Sequence, residues 1–583
     1  MVLRLSIVVG VLAATAALAE PTAESKVVGR AAPRSAEYKI SEAGVHYAVR
    51  TPKGAKWVMV VDGVEGPEFD QFLDRRGHPA NVENLHVVFS ADGARHAYLA
   101  QVGQDYNLIV DGKVMAKGPL GPSNLGYHDM TMSPLGKHVY FIDLNPENGR
   151  AKATLVMDGK PGPFAGHQNL FPIFNATEAN WAYTAVKLGG RQTDLLTIVD
   201  GKEAAYLGYE PVYTGDGNLV KAPAGVTLGG KISAAPKGTR WAGVMAGAKP
   251  TDTKVLYIDG KAVPECAWPE SVTWSPDGKR YMAVCPNREA RTKFILLDGK
   301  KGPEFMGFAP NLTKFSADGS RAIYVGVDKM GKHTVFADGV AGAPMTTLMG
   351  QTDQVVLAPK GNRYAYLAGE GQVVTLVLDG KATPFQGTVP MPGSLGFSAD
   401  GTRFAYVTAK AALPPRRTLV VDGKEQGGVN LMDIPKPREY DKWWVQRYGP
   451  QFTFYQFSPD GKHVATFGSS DAGLKNTVFV DEKPLTVAGQ ANNGQFLSWS
   501  PDSKHLFWVS GEGNPGQAVY RVYVNGKASQ ARYTGEQPVY AGTWEIGADN
   551  VLSMLVFDGL DTKRWRVTPD PAVTIDAALA AVK

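Results

Sequence analysis

One short phrase recurs along this chain and constrains its fold more than any other feature. It consists of an apolar residue, Ser, Ala or Pro, a polar residue that is usually Asp, Gly, then a polar pair and an apolar run. Full copies are Phe89-Ser-Ala-Asp-Gly93, Met132-Ser-Pro-Leu-Gly136, Trp274-Ser-Pro-Asp-Gly278, Phe315-Ser-Ala-Asp-Gly319, Phe397-Ser-Ala-Asp-Gly401 and Phe457-Ser-Pro-Asp-Gly461. Weaker copies centre on Gly44, Glu178, Gly238, Gly361, Ser503 and Asn550. The period is about 42 residues, with two longer intervals at Glu178 to Gly238 and Gly401 to Gly461, so the chain reads as about twelve copies of one unit with two insertions.

A second phrase follows each first one by roughly twenty residues: an apolar run ending in Asp-Gly, at Asp111, Asp158, Asp200, Asp259, Asp298, Asp379 and Asp422, varied to Asp-Glu at Asp481 and Asn-Gly at Asn525. Asp-Gly between apolar runs marks a tight hairpin, because a primed turn needs positive φ and Gly adopts it without steric cost. Each unit is therefore expected to run strand, tight turn, strand, loop, strand, tight turn, strand.

The apolar runs, such as Tyr281–Val284, Tyr364–Leu367 and Phe404–Val407, are continuous rather than alternating, as in sheets covered on both faces. Stacked blades supply that cover. With 66 Gly and 39 Pro in 583 residues and 20% charged residues, the composition is that of a turn-rich β protein rather than a disordered one. The only helix expected is a short one near Ile575 to Val582. The fold class is thus all-β, a propeller of four-stranded blades.

The Ser-Pro-Asp-Gly-Lys phrase, the aromatic-rich strand after it and the later Asp-Gly turn resemble the TolB-like, WD40-like (PD40) propeller repeat of bacterial exported proteins. The resemblance covers residues 36–570 and implies a fold rather than an activity. The α/β domain that precedes the propeller in TolB is not read in this sequence, so TolB's own partnership is not implied.

Single rings usually close with four to eight blades. Twelve repeats are therefore expected to form tandem propellers of six blades each, residues 36–307 and 308–570, although a seven-plus-five division or one oversized ring also fits. Residues 1–19 would be a signal peptide, 20–35 an N-terminal segment and 571–583 a C-terminal tail. The last repeat lacks a fourth strand after Thr568, and Lys26 to Arg30 could supply it.

Arg4, the apolar run Leu5 to Leu18 and Ala17-Leu18-Ala19 match an export signal cleaved before Glu20. The run is shorter than the roughly 20 residues that span a bilayer, so the expectation is a periplasmic or secreted protein with no transmembrane anchor. The formal net charge of +5, which loses Arg4 on cleavage, is too weak and too evenly spread for a nucleic-acid partner. The two cysteines, Cys266 and Cys285, flank a turn that could bring them together as a disulfide in an oxidising compartment, with two buried thiols as the alternative.

A basic residue follows most first turns by two positions: His46, Arg95, His138, Arg240, Arg280, Arg321, Arg363, Arg403, His463 and His505. Such a row could bind an anion, but its regular recurrence points to a shared packing or hydrogen-bonding role. Since both tight turns of a unit lie on one rim, the irregular loops, including both insertions, are expected on the other, where binding usually resides. The first insertion offers Tyr209 and Tyr213. The second, 438–448, offers Tyr440, Trp443, Trp444, Arg447 and Tyr448, residue types enriched at interface hot spots. Covering a blade edge is the alternative role for these aromatics.

Catalytic motifs are thin. Neither Gly-x-Ser-x-Gly nor His-Glu-x-x-His occurs, and no metal site or cofactor is expected from ten scattered histidines. The leading expectation is a non-catalytic scaffold that binds a protein or envelope component. The alternative is a hydrolase or lyase using funnel carboxylates such as Asp143, Asp194, Asp216, Glu289 and Asp328.

Overall fold

A computed structural model describes the chain from Pro21 to Val582, apart from residues 31–37, 41–45, 75–78, 81–84, 91–92, 120–127, 148–149, 167–171, 176, 188–194, 206–210, 221–226, 247–253, 310–311, 350–354, 372, 411–415, 428, 432–433, 436–451, 471–476, 486–491, 513–518, 535–543 and 559–560. Almost all regular structure is antiparallel strand, and the single α-helix among the described residues is Ile575–Ala581.

The sixth sheet shows how the repeat folds. Ser271–Trp274, Tyr281–Asn287, Thr292–Leu297 and Lys300–Phe305 pair in sequence order, with Trp274 opposite Tyr281 and Leu297 opposite Lys300. In the first turn the Ser275 hydroxyl accepts the Arg280 amide at 2.9 Å and donates to Asp277 at 2.6 Å. Asp277 also accepts the Lys279 amide. Gly278 turns back at φ 74°. The second turn, Asp298-Gly299, has φ of 50° and 83°, the primed geometry that matches the twist of paired strands. Asp in such a turn tolerates the left-handed region better than a branched residue would.

Neighbouring sheets lock together through a contact the repeat hides. A methyl group on Gly66, in the fourth strand of the first sheet, would come within 2.9 Å of the Tyr98 hydroxyl of the second. Gly162 faces Tyr183, Gly302 faces Tyr324 and Gly342 faces Tyr366 in the same way. Glycine recurs there because the next sheet's tyrosine occupies the space of a side chain.

Successive four-stranded units, each counted as one sheet, follow one another along the chain, and the third and fourth are joined edge to edge through Ala165 opposite Lys187 and Gly166 opposite Val186. Residues 306–309, where a division between two rings is expected, lie inside the seventh sheet: the Met306 amide donates to Val327 and that of Ala309 to Val325. Met282 and Ile295 of the sixth sheet share one core cluster with Ala322, Tyr324 and Phe336 of the seventh. The last sheet is completed by the N-terminal strand Thr22–Arg30, which pairs with Asp561–Thr568 from Thr22 opposite Thr568 to Arg30 opposite Asp561. Arg564 in that sheet reaches Asp62 of the first at 3.1 Å and stacks over Tyr47. The architecture is a β-propeller whose blade-to-blade contacts return from the last sheet to the first.

The first insertion departs from expectation. Residues 211–220 return to the rim of the tight turns instead of remaining on the opposite rim. Tyr213 bridges Leu219, the Gly217 amide donates to Thr214, and that of Val220 to Val212. This hairpin sits between the fourth and fifth first turns: a Cβ on Gly217 would meet Asn175, one on Gly215 would meet Lys237, and the Asp216 amide donates to Gly238 at 3.0 Å. Thr214-Gly-Asp-Gly217 imitates Ser-x-Asp-Gly, so one of the two long intervals contains a partial extra repeat.

Candidate functional site

On the turn rim, the recurring cations are engaged by the scaffold. Arg95 donates from Nε to Asp111 of its own second turn at 2.9 Å and from Nη1 to the Gly136 carbonyl of the next sheet at 2.6 Å. Arg240 joins Asp259 to the Lys279 carbonyl, Arg363 joins Asp379 to Thr402, and Arg403 joins Asp422 to Lys462. Arg280 holds Asp298, the Ser320 carbonyl and Asp338 at once. His138 bridges in the same way, pairing Asp158 at 2.7 Å and the Glu178 carbonyl at 2.8 Å. The other oxygen of each Asp accepts the amide after the cation, as in His96 on Asp111 and Tyr281 on Asp298. A guanidinium suits this position because its planar fork serves a carboxylate and a carbonyl together. The row therefore does structural work, and a shared anion site on this rim has no support from its geometry.

The exception is the eleventh sheet, where His505 faces Asn525 instead of Asp. The Asn525 carbonyl oxygen accepts the Leu506 amide, so its amino group points to His505 Nδ1, at 3.1 Å, and to the Val573 carbonyl, at 2.7 Å. The imidazole nitrogen accepts there, which fixes the neutral tautomer. Burial pushes this histidine below its ordinary pKa of 6.5. The cause is the C-terminal segment: Ile575 and Leu579 pack into the core shared by the tenth and eleventh sheets, and the Ile575 amide donates to Lys504. A neutral pair replaces an ionic one where the rim is covered.

Of the residues expected to bind a partner, Tyr440, Trp443, Trp444, Arg447, Tyr448 and Tyr209 lie outside the described residues. What the structure describes is the base of the second insertion, a two-stranded ribbon of Ile434–Pro435 and Phe452–Thr453. It leaves the first strand of the tenth sheet between Val429–Leu431 and Tyr455–Phe457, both paired with Val464–Ser470. Tyr213 is in the extra hairpin on the turn rim. Its hydroxyl is buried without a hydrogen-bond partner, and burial pushes its pKa up to about 12.

The carboxylates considered for a funnel site have separate tasks or positions. Asp328 accepts the Met330 and Lys332 amides of its own loop, Asp216 is in the extra hairpin, Glu289 is exposed on a loop of the opposite rim, and Asp194 lies outside the described residues. Asp143 is in the strand Val139–Glu147. Among the described residues, no three His, Cys, Asp or Glu side chains are grouped to hold a metal.

Cys266 and Cys285 are disulfide-bonded, with Cα atoms 5.1 Å apart. The bond joins the fourth strand of the fifth sheet, Lys261–Ala267, to the second strand of the sixth, Tyr281–Asn287. It is a staple between blades.

No family model matches the sequence, and no curated protein matches it. Solved structures similar to parts of it include hydrazine synthase of Kuenenia stuttgartiensis, at 11% identity over 52% of this chain and 96% of that one, with a TM-score of 0.19. The Dos1 propeller matches at 9% identity over 66% and 91%, with a TM-score of 0.20. The β-propeller domain of the Trilobed protease from Pyrococcus furiosus matches at 11% over 57% and 95%, with a TM-score of 0.17. No helix among the described residues is long and apolar enough to cross a membrane.

Proposed function

We propose that this chain is an exported, non-catalytic β-propeller of the TolB-like kind, periplasmic or secreted, that binds a protein or another envelope component. The observation that carries this reading is the engagement of the repeated cations. Arg95, Arg240, Arg280, Arg321, Arg363 and Arg403 each hold an aspartate. The repeat is thus committed to joining blades, and recognition falls to residues outside it. The insertion 438–448 has the richest supply of hot-spot residue types, and a rigid scaffold carrying an irregular loop is a common binding arrangement.

The test is a pull-down from envelope extract with the mature chain and its Trp443→Ala, Trp444→Ala variant. At least one partner should be lost from the variant. Identical partner lists would remove this insertion from the proposal, and an empty list for both proteins would remove the binding role.

A further inference from the structure

Beyond that reading, and independently of the 438–448 insertion, the rim opposite the turns carries cations that no aspartate holds among the described residues. Trp268 follows the fourth strand of the fifth sheet and has φ 57°, left-handed backbone that a bulky side chain rarely adopts. Lys254 Nζ stands 5.2 Å from the centre of its ring and the Arg288 guanidinium 4.2 Å from it. Arg288 and Arg291 belong to one loop between Tyr281–Asn287 and Thr292–Leu297, and Arg291 too is left-handed, at φ 54°.

Three constraints hold this group together. The Trp268 amide donates to the Lys254 carbonyl at 2.7 Å. The Ala290 amide donates to the Asn287 side chain, closing the loop that carries Arg288. The Cys266–Cys285 disulfide ties the two strands that lead to Trp268 and Arg288. Of the nearby carboxylates, Glu270 is paired with Lys293 at 2.7 Å, Glu304 is paired with Lys301 at 2.9 Å and also accepts the Asn287 side chain and the Thr292 hydroxyl at the base of the loop, and Glu289 is exposed beside Arg288.

We infer that Lys254 and Arg288, both held against the Trp268 ring, with Arg291 on the same loop as Arg288, form a binding site for an oxyanion, a carboxylate or phosphate group of the ligand. The indole face orients the guanidinium by cation–π attraction and leaves its edge donors free to form charge-assisted bonds. The turn rim has a similar density of cations, but there the aspartates already supply the oxyanions. On this rim a ligand would supply them.

The test is calorimetric titration of the mature chain at low salt with inorganic phosphate and, separately, with citrate as a carboxylate probe. Saturable binding of either is expected, and the probe that binds identifies the oxyanion class. Arg288→Gln combined with Lys254→Met should weaken binding by about tenfold or more, since each removes a charged donor, without lowering the melting temperature. Trp268→Gly tests the positioning role: Gly adopts φ 57° freely, so the fold should persist while binding falls. Absence of saturation by both probes, or wild-type affinity in the Arg288→Gln, Lys254→Met variant, would overturn the inference.

Discussion

The carboxylate of Glu178 lies 2.5 Å from the hydroxyl of Ser133, in the preceding sheet, and also accepts the amides of Leu135 and Lys137. In other sheets these bonds go to the aspartate of the turn itself, as from Ser275 and Lys279 to Asp277. The third sheet has Leu135 at that place, exposed at 51%, so the next sheet supplies the missing acceptor. Glu178 accordingly stands at φ 54°, where most turns have Gly.

This relationship predicts a compensating pair. Glu178→Gly relaxes the backbone but strands three donors, and the net cost should be about 1–3 kcal/mol, the range for unsatisfied buried polar groups. Leu135→Asp on its own places a second carboxylate near the first and should also destabilise. Together the two should recover most of the loss, giving a coupling of similar size in a double-mutant cycle followed by denaturant unfolding. Simple additivity would mean that the two carboxylates do not share a role.

Those residues also show what the sequence could and could not reveal. The tight turns were legible because positive φ restricts residue type, and the helix Ile575–Ala581 because its apolar residues follow a helical spacing. The partnership of Gly66 with Tyr98 was not legible: it joins different sheets, and nothing in one repeat says which neighbour fills the glycine. The same holds for Glu178, which looked like a weak copy of the turn until the missing Asp at position 135 was set beside it. Thr214-Gly-Asp-Gly217 carried a detectable signal, Thr in place of Ser in a familiar phrase, hidden because it stands only 21 residues before the next centre at Gly238. The aromatic insertion 438–448 remains a reading of residue types.

The disulfide should contribute mainly by restricting the unfolded chain. Its sequence separation is 19, for which loop-closure entropy gives about 3 kcal/mol. Cys285→Ala, or reduction, should therefore lower the unfolding midpoint, and scanning calorimetry with and without reductant would measure it. The double variant Cys266→Ala, Cys285→Ala should match the single one and be insensitive to reductant. A midpoint unchanged by reductant in the wild type would show that the bond does not contribute.

Acid should weaken the turns before the core is affected directly. The hydroxyls of Ser316 and Ser398 donate to Asp318 and Asp400, holding both carboxyls down at about 2, below the ordinary 3.8. With the folded pKa depressed, the unfolded state binds more protons between these values, so the stabilisation is complete above about pH 4 and is lost as pH falls towards 2. Both carboxylates are near solvent, so each effect is small. Asp318→Asn and Asp400→Asn should lower the midpoint at pH 7 and flatten its decline from pH 5 to 2. An unaltered decline would assign the acid sensitivity to other groups.

Whether the repeated units form one ring or two can be decided by dividing the chain. We favour one circuit, because Arg280 of the sixth sheet donates to the Ser320 carbonyl and to Asp338 of the seventh, while Arg564 of the last reaches Asp62 of the first. Cutting after Phe305, where the last strand of the sixth sheet ends, would bare the apolar cluster of Met282, Ile295, Ala322, Tyr324 and Phe336 and strand Arg280 beside one aspartate. Residues 20–305 and 306–583 produced separately should then be insoluble or lack a cooperative melting transition, and should regain one when refolded together. Two halves that each melt cooperatively alone would establish two rings. Removing residues 20–30 provides an independent check: it uncovers the Asp561–Thr568 edge at the join between last and first sheets, so in a single circuit it should lower the midpoint of the whole protein rather than produce a second, separate transition.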